Sequence, residues 1–270
     1  ELVDMGKMVD EAEKLYGQYD WDRYDVIVLP PSFPFGGMEN PRLTFATPTI
    51  IAGDRSLVSL IAHELAHSWS GNLVTNATWN DFWLNEGFTV YFERRIMEAL
   101  YGKDYTDMLA LLGFQDLTSE LSSLDEDMQK LKLKLNGLHP DDAMSDIAYE
   151  KGYFFLRMLE EKKGRAKMDS FLKNYFDDHK FQTITTEEFL AYLDQNLLQG
   201  EQDGLMINQW VYQSGLPANC PKVLSNRFVQ AEKAVDVFLK KGVDNIVDAA
   251  ADWSTHEWLH FIKHLPENIN

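Results

Sequence analysis

The stretch Ile61–Trp69 reads I-A-H-E-L-A-H-S-W, and Trp83–Gly87, a short distance later, reads W-L-N-E-G. The first stretch contains an H-E-x-x-H motif formed by His63, Glu64 and His67. Side chains four residues apart lie on the same face of an α-helix, so both histidines can bind one metal ion. The sequence therefore predicts a helix that carries two ligands of a metal site.

Two glutamates supply further groups for a catalytic centre. Glu64 lies about 100° around an ideal helix from His63, so its carboxylate can miss the ion and still reach a water molecule bound there. Glu86, in the second stretch, can supply a third ligand from a second helix. A His₂Glu set leaves a fourth position open for water, which is typical of catalytic zinc, whereas structural zinc has four protein ligands.

Composition excludes several classes of protein. The chain has 270 residues, 45% of them hydrophobic, and a net charge of −18. It is long enough for one large domain or two ordinary ones. The acidic charge argues against a nucleic-acid partner, because phosphate binding requires a basic surface, and an anionic membrane would repel it. No apolar run approaches the roughly 20 residues of a membrane span. Cys220 is the only cysteine, so we expect no internal disulfide and a cytoplasmic location.

Apolar spacing predicts an α+β fold, mainly helical with a small sheet. The predicted helices are Leu2–Tyr16, one around the H-E-x-x-H motif, Asn80–Tyr101, Asp104–Leu121, Ile147–Lys163, Lys167–Phe176 and Thr185–Leu198. The predicted strands are Tyr24–Leu29 and Leu43–Ile51. Asp54 or Ser56 is placed to cap the metal-site helix. The charged, alternating segment 121–138 is either a short strand or an exposed linker.

The predicted domain division follows a change in pattern near Leu216-Pro217-Ala218-Asn219. We assign residues 1–216 to a catalytic domain, 217–224 to a linker and 225–270 to the beginning of a C-terminal helical domain. The last unit reads as three short helices, and Ser254 with Glu257 can cap the final one. Several of its apolar side chains lack evident partners, so we expect this unit to be truncated.

A second H-E-x-x-H motif, His256–His260, shows that the short pattern is not specific by itself. His264 follows one turn later, and the only later acid is Glu267. No glutamate lies at the separation that Glu86 has from the first motif. We interpret the second copy as an ordinary helix face.

Four segments together resemble the gluzincin aminopeptidases, the aminopeptidase N family, and within it the leukotriene A(4) hydrolase-like aminopeptidases. They are L-P-P-S-F-P-F-G-G-M-E-N-P at Leu29–Pro41, H-E-L-A-H-S-W-S-G-N-L-V-T at His63–Thr75, W-L-N-E-G-F at Trp83–Phe88 and Y-E-K-G at Tyr149–Gly152. The similarity runs from about Tyr19 to Pro217 and more weakly to the end. It implies a thermolysin-like catalytic domain that hydrolyses the N-terminal residue from peptides.

The resemblance assigns catalytic roles that the chemistry supports. His63, His67 and Glu86 would bind one zinc ion. Glu64 would be the general base for a zinc-activated water and would pass its proton to the leaving amine. Tyr149 would donate its hydroxyl to the oxyanion of the tetrahedral intermediate, although it can also be read as a core tyrosine.

The resemblance also implies a substrate-binding segment at Gly36, Gly37, Met38 and Glu39. Glu39 would bind the free α-ammonium of the peptide, and the glycines would let its backbone pair as an added strand. Glu39 can instead be read as a solvated loop acid and the glycines as a turn. Glu93 shares a helix face with Glu86. It could orient a ligand histidine, and the pattern is equally compatible with an acid at the surface.

The chain departs from the family pattern in two respects. Met144 stands where leukotriene A(4) hydrolase has a tyrosine, while Asp141 matches an aspartate associated with epoxide hydrolysis. Peptide hydrolysis is therefore the preferred reading, with Asp141 selecting basic side chains. Epoxide hydrolysis of a lipid at the same zinc and an inactive zinc-binding fragment are the alternatives. Family members also carry a β-rich domain before this region and a complete helical domain after it, so we expect a fragment whose partners include those missing domains.

Overall fold

The computed structural model describes residues 2–266, in which helices dominate. The α-helices are α1 Met5–Tyr16, α2 Ser59–Ala66, α3 Trp83–Tyr101, α4 Lys103–Leu121, α5 Gly152–Lys163, α6 Arg165–Asp178, α7 Thr186–Leu193, α8 Ile207–Tyr212, α9 Asn226–Lys241 and α10 Thr255–Lys263. The strands are β1 Asp25–Val28, β2 Gly37–Met38, β3 Leu43–Ala46, β4 Val74–Asn76 and β5 Gln182–Ile184. The predicted α+β class, mainly helical with little sheet, is confirmed. None of the described helices combines the length and apolarity needed to cross a bilayer.

The strands form two small sheets. In the larger, β3 lies in the middle, parallel to β1 and antiparallel to β2. Because β2 lies at the end of this sheet, its outer edge is available for pairing. The smaller sheet is a parallel pair of β4 and β5. The sequence prediction missed this pair, since each strand has only three residues.

Helix α3 is the centre of the main core, and α1, α2, α4 and α5 pack against it. Its N-terminal half is buried on every side. Gly87 permits one especially close approach, because a Cβ there would lie 2.8 Å from the Cα of Gly152. The contact brings α3 against Ile147–Lys151, a π-helical turn that leads into α5. Such turns are rare and occur frequently at functional sites.

Two sequence predictions about the strands require correction. The strand predicted over Leu43–Ile51 ends at Ala46, and a 3₁₀ turn covers Pro48–Ile50. Proline has no N–H to continue the ladder, which explains the early end. Segment 121–138 is neither a regular strand nor exposed throughout, since Leu131, Leu133 and Leu135 are buried.

Backbone hydrogen bonds hold this segment in place. The Lys132 N–H donates to the Val211 carbonyl and the Leu133 N–H to the Asn80 carbonyl, each at 3.0 Å. The segment therefore lies in an extended path between α8 and the turn that precedes α3. Leu131 joins the main core, Leu133 and Leu135 form a small buried cluster with Met128, and Lys134 is exposed.

The C-terminal unit consists of α9, a 3₁₀ turn at Val243–Asn245 and α10. It has a small core of its own, formed by Ala231, Ala234, Val235, Ile246 and Phe261. Helix α9 spans 16 residues and is not short. The division into domains at 217–224 stays a prediction.

The predicted cap of α2 is wrong. Its N-cap residue is Val58, which has no side-chain cap. Asp54 and Ser56 bind the start of α10 instead: the Thr255 N–H donates to Asp54 Oδ2 and to Ser56 Oγ, each at 2.8 Å. These hydrogen bonds join the C-terminal unit to the segment before the metal-site helix.

Candidate functional site

Three side chains converge where α2 meets α3. His63 lies on α2, His67 immediately follows that helix in a helical conformation, and Glu86 lies in the first turn of α3. The Nε2 atoms of the two histidines are 3.2 Å apart. Glu86 Oε2 lies 3.3 Å from His63 Nε2 and 3.5 Å from His67 Nε2. The structure thus brings together the three residues predicted from their spacing.

These separations fit one tetrahedral ion. Donors bound at about 2.0–2.1 Å in a tetrahedron lie about 3.3–3.4 Å apart, close to all three distances. Glu86 Oε2 is buried and has no hydrogen-bond partner among the described residues. Burial lowers the pKa of His63, but Glu86 and Glu93 raise it, and the net result is well above the ordinary value. The site therefore favours a positive charge at its centre, and its His₂Glu donor set suits Zn²⁺.

Outer contacts fix both imidazole rings. His63 Nδ1 lies 3.2 Å from Glu93 Oε2, whose side chain is only 12% exposed. His67 Nδ1 lies 2.8 Å from Asn85 Oδ1 and 3.0 Å from the Ser70 carbonyl. A proton on each Nδ1 leaves the Nε2 lone pair directed at the ion position. Glu93 is thus a largely enclosed partner of His63 rather than a surface acid.

Glu64 points into the same space but has a different environment. Burial is the largest cause that raises its pKa to about 7, opposed by His63 and His67. Its Oε2 atom is buried without a hydrogen-bond partner among the described residues. A Cβ on Gly37 would overlap Glu64 Oε1, so a larger residue there would displace the Glu64 carboxylate. Gly37 belongs to a strand and its φ angle is not positive, so close approach, not a turn, explains it.

Tyr149 faces the site from the π-helical turn. Its ring lies parallel to the His63 ring, 6.2 Å between centroids. Burial, followed by the charge of Glu86, raises the pKa of the Tyr149 hydroxyl. The hydroxyl therefore keeps its proton at neutral pH and can donate a hydrogen bond.

All of these groups line one open cavity of about 1050 Å³. Gly36, Gly37, Met38 and Glu39 form part of its wall. Carboxylate oxygens of Glu39 and Glu64 and a ring nitrogen of His67 lie within 4.8 Å of one another. The cavity therefore holds a fixed anion close to the proposed ion position.

Comparison with known proteins agrees with this geometry. The model of the peptidase family M1 domain matches residues 3–210, more than half of the chain. The chain belongs to peptidase family M1. Leucine aminopeptidase 2 of Sclerotinia sclerotiorum is 47% identical over 221 residues, which cover 79% of this chain and 36% of that relative. The chain thus spans about a third of the length of the curated relatives it matches.

Solved structures of the same family share the fold. Leukotriene A4 hydrolase from Saccharomyces cerevisiae matches with a TM-score of 0.86 at 36% identity, covering 99% of this chain and 45% of that one. A zinc metallopeptidase of family M1 from Deinococcus radiodurans, in an E323A mutant bound to a Tyr-Ser-Ala substrate, matches with a TM-score of 0.66 at 26% identity. That match covers 82% of this chain and 46% of the other.

The two residues compared above with leukotriene A(4) hydrolase lie at the cavity wall. Asp141 and Met144 both line it, and the Asp141 side chain is 76% exposed. His139 Nδ1 lies 3.4 Å from Asp141 Oδ2. The cavity wall thus has an acid and a thioether in this region.

Sequence reasoning missed several side chains of this family M1 site. Asn85 was quoted only as part of W-L-N-E-G, yet it holds His67. Its position directly before Glu86 is a usable signal, because the turn of α3 that supplies a ligand also faces His67. Ser70 and Trp79 gave no signal, since their positions depend on how the loop after His67 folds back.

The second H-E-x-x-H copy has another arrangement. His256 Nε2 lies 2.8 Å from the Ser56 carbonyl. Glu257 accepts from the Ser254 N–H at 2.8 Å, which caps α10, and from Arg227 Nε at 2.7 Å. The acid of this copy is therefore fully engaged. Glu267, considered above as its only later acid, lies outside the described residues.

Proposed function

We propose that this chain is the catalytic part of a zinc aminopeptidase that hydrolyses the N-terminal residue from peptides. The observation that carries the proposal is the position of Glu39, which puts an anion beside Glu64 and the His₂Glu cluster within one cavity. Membership of family M1 and the names of the relatives support it.

His63, His67 and Glu86 would hold the zinc ion. When bound, zinc supplies a Lewis acid that makes water a better nucleophile near neutral pH and polarises the scissile carbonyl. Glu64 takes the proton from the attacking water and delivers it to the leaving amine. Burial raises the pKa of its carboxylate, which makes it a stronger base toward the attacking water.

Tyr149 stabilises the negative charge that develops on the carbonyl oxygen. Its protonated hydroxyl donates a hydrogen bond to the oxygen that becomes negative as the carbonyl is attacked. The close packing of Gly87 against Gly152 fixes the π-helical turn that carries this ring. A donor held in place before the reaction needs no reorganisation during it.

Substrate selection rests on the segment 36–39. Glu39 binds the free α-ammonium, which internal peptide bonds lack, so cleavage is limited to the first residue. Gly36, Gly37 and Met38 offer the free edge of β2, where a peptide can pair as an added strand. Asp141 contributes a preference for basic side chains. Met144 has no hydroxyl to offer where leukotriene A(4) hydrolase has a tyrosine, so we propose peptide hydrolysis in preference to epoxide hydrolysis.

A paired substrate experiment tests the proposal. An aminoacyl chromogenic substrate with a free amine should be hydrolysed, whereas its N-acetylated form should not. Equal hydrolysis of both would contradict an aminopeptidase. Hydrolysis of neither by a zinc-loaded chain would support the inactive-fragment reading.

A further inference from the structure

A second group of metal-binding side chains lies between α9 and α10, away from the catalytic cavity. Among residues 2–266, Glu232 on α9 faces His260 and His264 at the end of α10. His260 Nε2 is 3.0 Å and His264 Nε2 is 3.9 Å from Glu232 Oε1. The pair that faces Glu232 is therefore His260 and His264. The pair within the H-E-x-x-H motif is His256 and His260.

Local contacts orient both rings. His264 Nδ1 lies 2.8 Å from the His260 carbonyl, so Nδ1 carries the proton and the Nε2 lone pair faces Glu232. The His260 ring stacks on Phe228, with centroids 4.0 Å apart and planes 1° from parallel. Only 9% of the His260 side chain is exposed. Packing on Phe228 thus holds the His260 ring, and a hydrogen bond to the His260 carbonyl holds the His264 ring.

We propose that Glu232, His260 and His264 bind a second divalent ion of the Zn²⁺ class. Two imidazoles and one carboxylate form a donor set that suits zinc, cobalt and nickel. On binding, the ion takes the lone pair of His260 Nε2, and any proton held there passes to solvent. An ion at this position joins α10 to α9 and stabilises the C-terminal unit by binding only its folded form.

The fit requires the three donor atoms, which lie within 4.8 Å of one another, to adjust their positions. Tetrahedral zinc donors at about 2.0–2.1 Å from the ion lie about 3.3–3.4 Å apart, so His264 and Glu232 must approach by about half an ångström. Their side chains are 45% and 50% exposed, which leaves both free to adjust. The catalytic cluster needs no such movement and is buried, so the second site should bind zinc at least about tenfold more weakly.

The competing explanation is a plain hydrogen bond from His260 to Glu232. Zinc titration of the chelator-treated 270-residue chain separates the two. Calorimetry or dialysis with metal analysis should find two equivalents, the second weaker. Glu232→Gln and His264→Gln should each remove the weaker equivalent and keep the tighter one. His179→Gln is the matched control, because His179 lies 2.9 Å from the Tyr175 carbonyl within its own helix and belongs to no metal-binding cluster.

Variants that lack the catalytic site test the second site separately. His67→Gln should leave only the weaker equivalent, and adding Co²⁺ to that variant should give visible absorption that Glu232→Gln abolishes. Zinc should also raise the melting temperature of His67→Gln but not that of His67→Gln/His264→Gln. A single equivalent in the unmodified chain would overturn the proposal. So would a second equivalent that persists in both Glu232→Gln and His264→Gln, which would mark adventitious surface binding.

Discussion

His63 and His67 turn their Nε2 atoms toward each other and toward Glu86 on the next helix. His256, the corresponding first residue of the other H-E-x-x-H copy, turns to the backbone carbonyl of Ser56. Both copies lie on or directly after α-helices, so helical periodicity does not separate them. The difference comes from the facing elements: α3 presents Glu86 to both histidines of the first copy, whereas in the second copy, within the described residues, only His260 faces a carboxylate, that of Glu232 on α9.

The acid within each motif shows the same contrast. Glu64 is buried and has a carboxylate oxygen with no hydrogen-bond partner among the described residues. Glu257 caps its own helix and pairs with Arg227. A carboxylate that already accepts three hydrogen bonds, as Glu257 does, cannot readily take a proton from water. The motif supplies the residues, and the neighbouring elements decide which chemistry remains open to them.

The largest contrast should appear when each acid is replaced. Glu64→Gln should lower kcat by about 10²- to 10⁴-fold, because it removes the general base. Glu257→Gln should leave kcat unchanged. Steady-state kinetics on both variants, with zinc content measured alongside, makes the comparison. Full activity in zinc-loaded Glu64→Gln would refute the assigned role.

The next largest effect concerns Glu39, whose carboxylate lies beside Glu64 and His67 of the first copy. Glu39→Ala should lower kcat/KM by about 10- to 150-fold, equivalent to the loss of a charged hydrogen bond of about 1.5–3 kcal/mol. Glu39→Gln, which keeps an acceptor but no charge, should fall between. Binding of an N-acetylated analogue should not change in either variant. An undiminished rate for Glu39→Ala would remove the ammonium-binding role.

The outer contact of His63 provides a third comparison. Glu93→Ala should raise the zinc dissociation constant of the tighter site by about 10- to 100-fold, because the ring loses the partner that orients it. Glu98→Ala is the matched control on the same helix, since Glu98 pairs with Arg165 at the surface. Competition with a chromogenic chelator measures both constants. Equal zinc affinity in the two variants would mean that Glu93 does not position His63.

The smallest effect is expected where the C-terminal unit docks. Burial raises the pKa of Asp54, but hydrogen bonds from Ser56 and Thr255 outweigh it and hold the pKa well below its usual value of 3.8. The stability that Asp54 contributes is therefore fully present above about pH 4 and is lost as the pH falls through the lowered pKa. Asp54→Asn should lower the melting temperature at pH 6 by no more than about 2–4 °C.

That difference should shrink as the pH falls toward 2, and melting curves of both proteins across this range check it. A gap that stays constant or widens in acid would contradict the proposed sign. Zinc binding at the first site should be unaffected at pH 6.

Sequence alone predicted the main features of the first site. The i, i+4 spacing and the following helix placed His63, His67 and Glu86 together, because helix geometry converts spacing directly into position. The helices around the core were also predicted, with ends that differ by a few residues. These features depend on local periodicity, which a single sequence displays.

Features that depend on packing between distant segments were not predicted. Three leucines of segment 121–138 are buried where its backbone hydrogen-bonds to Val211 and Asn80, and β4 pairs with β5 across a long separation. Asp54 was expected to cap α2 but binds Thr255, which lies far away in sequence. The approach of Glu232 to His260 likewise depends on the packing of α9 against α10. No local pattern encodes these contacts.

Zinc add-back tests the central claim most directly. The chain is stripped with a chelator and aminopeptidase turnover is measured as zinc is returned in steps. We predict no turnover without metal and a rise that is complete at the first, tighter equivalent, absent in His67→Gln. Turnover that survives complete removal of zinc, or that follows only the weaker equivalent, would contradict the assignment of catalysis to His63, His67 and Glu86.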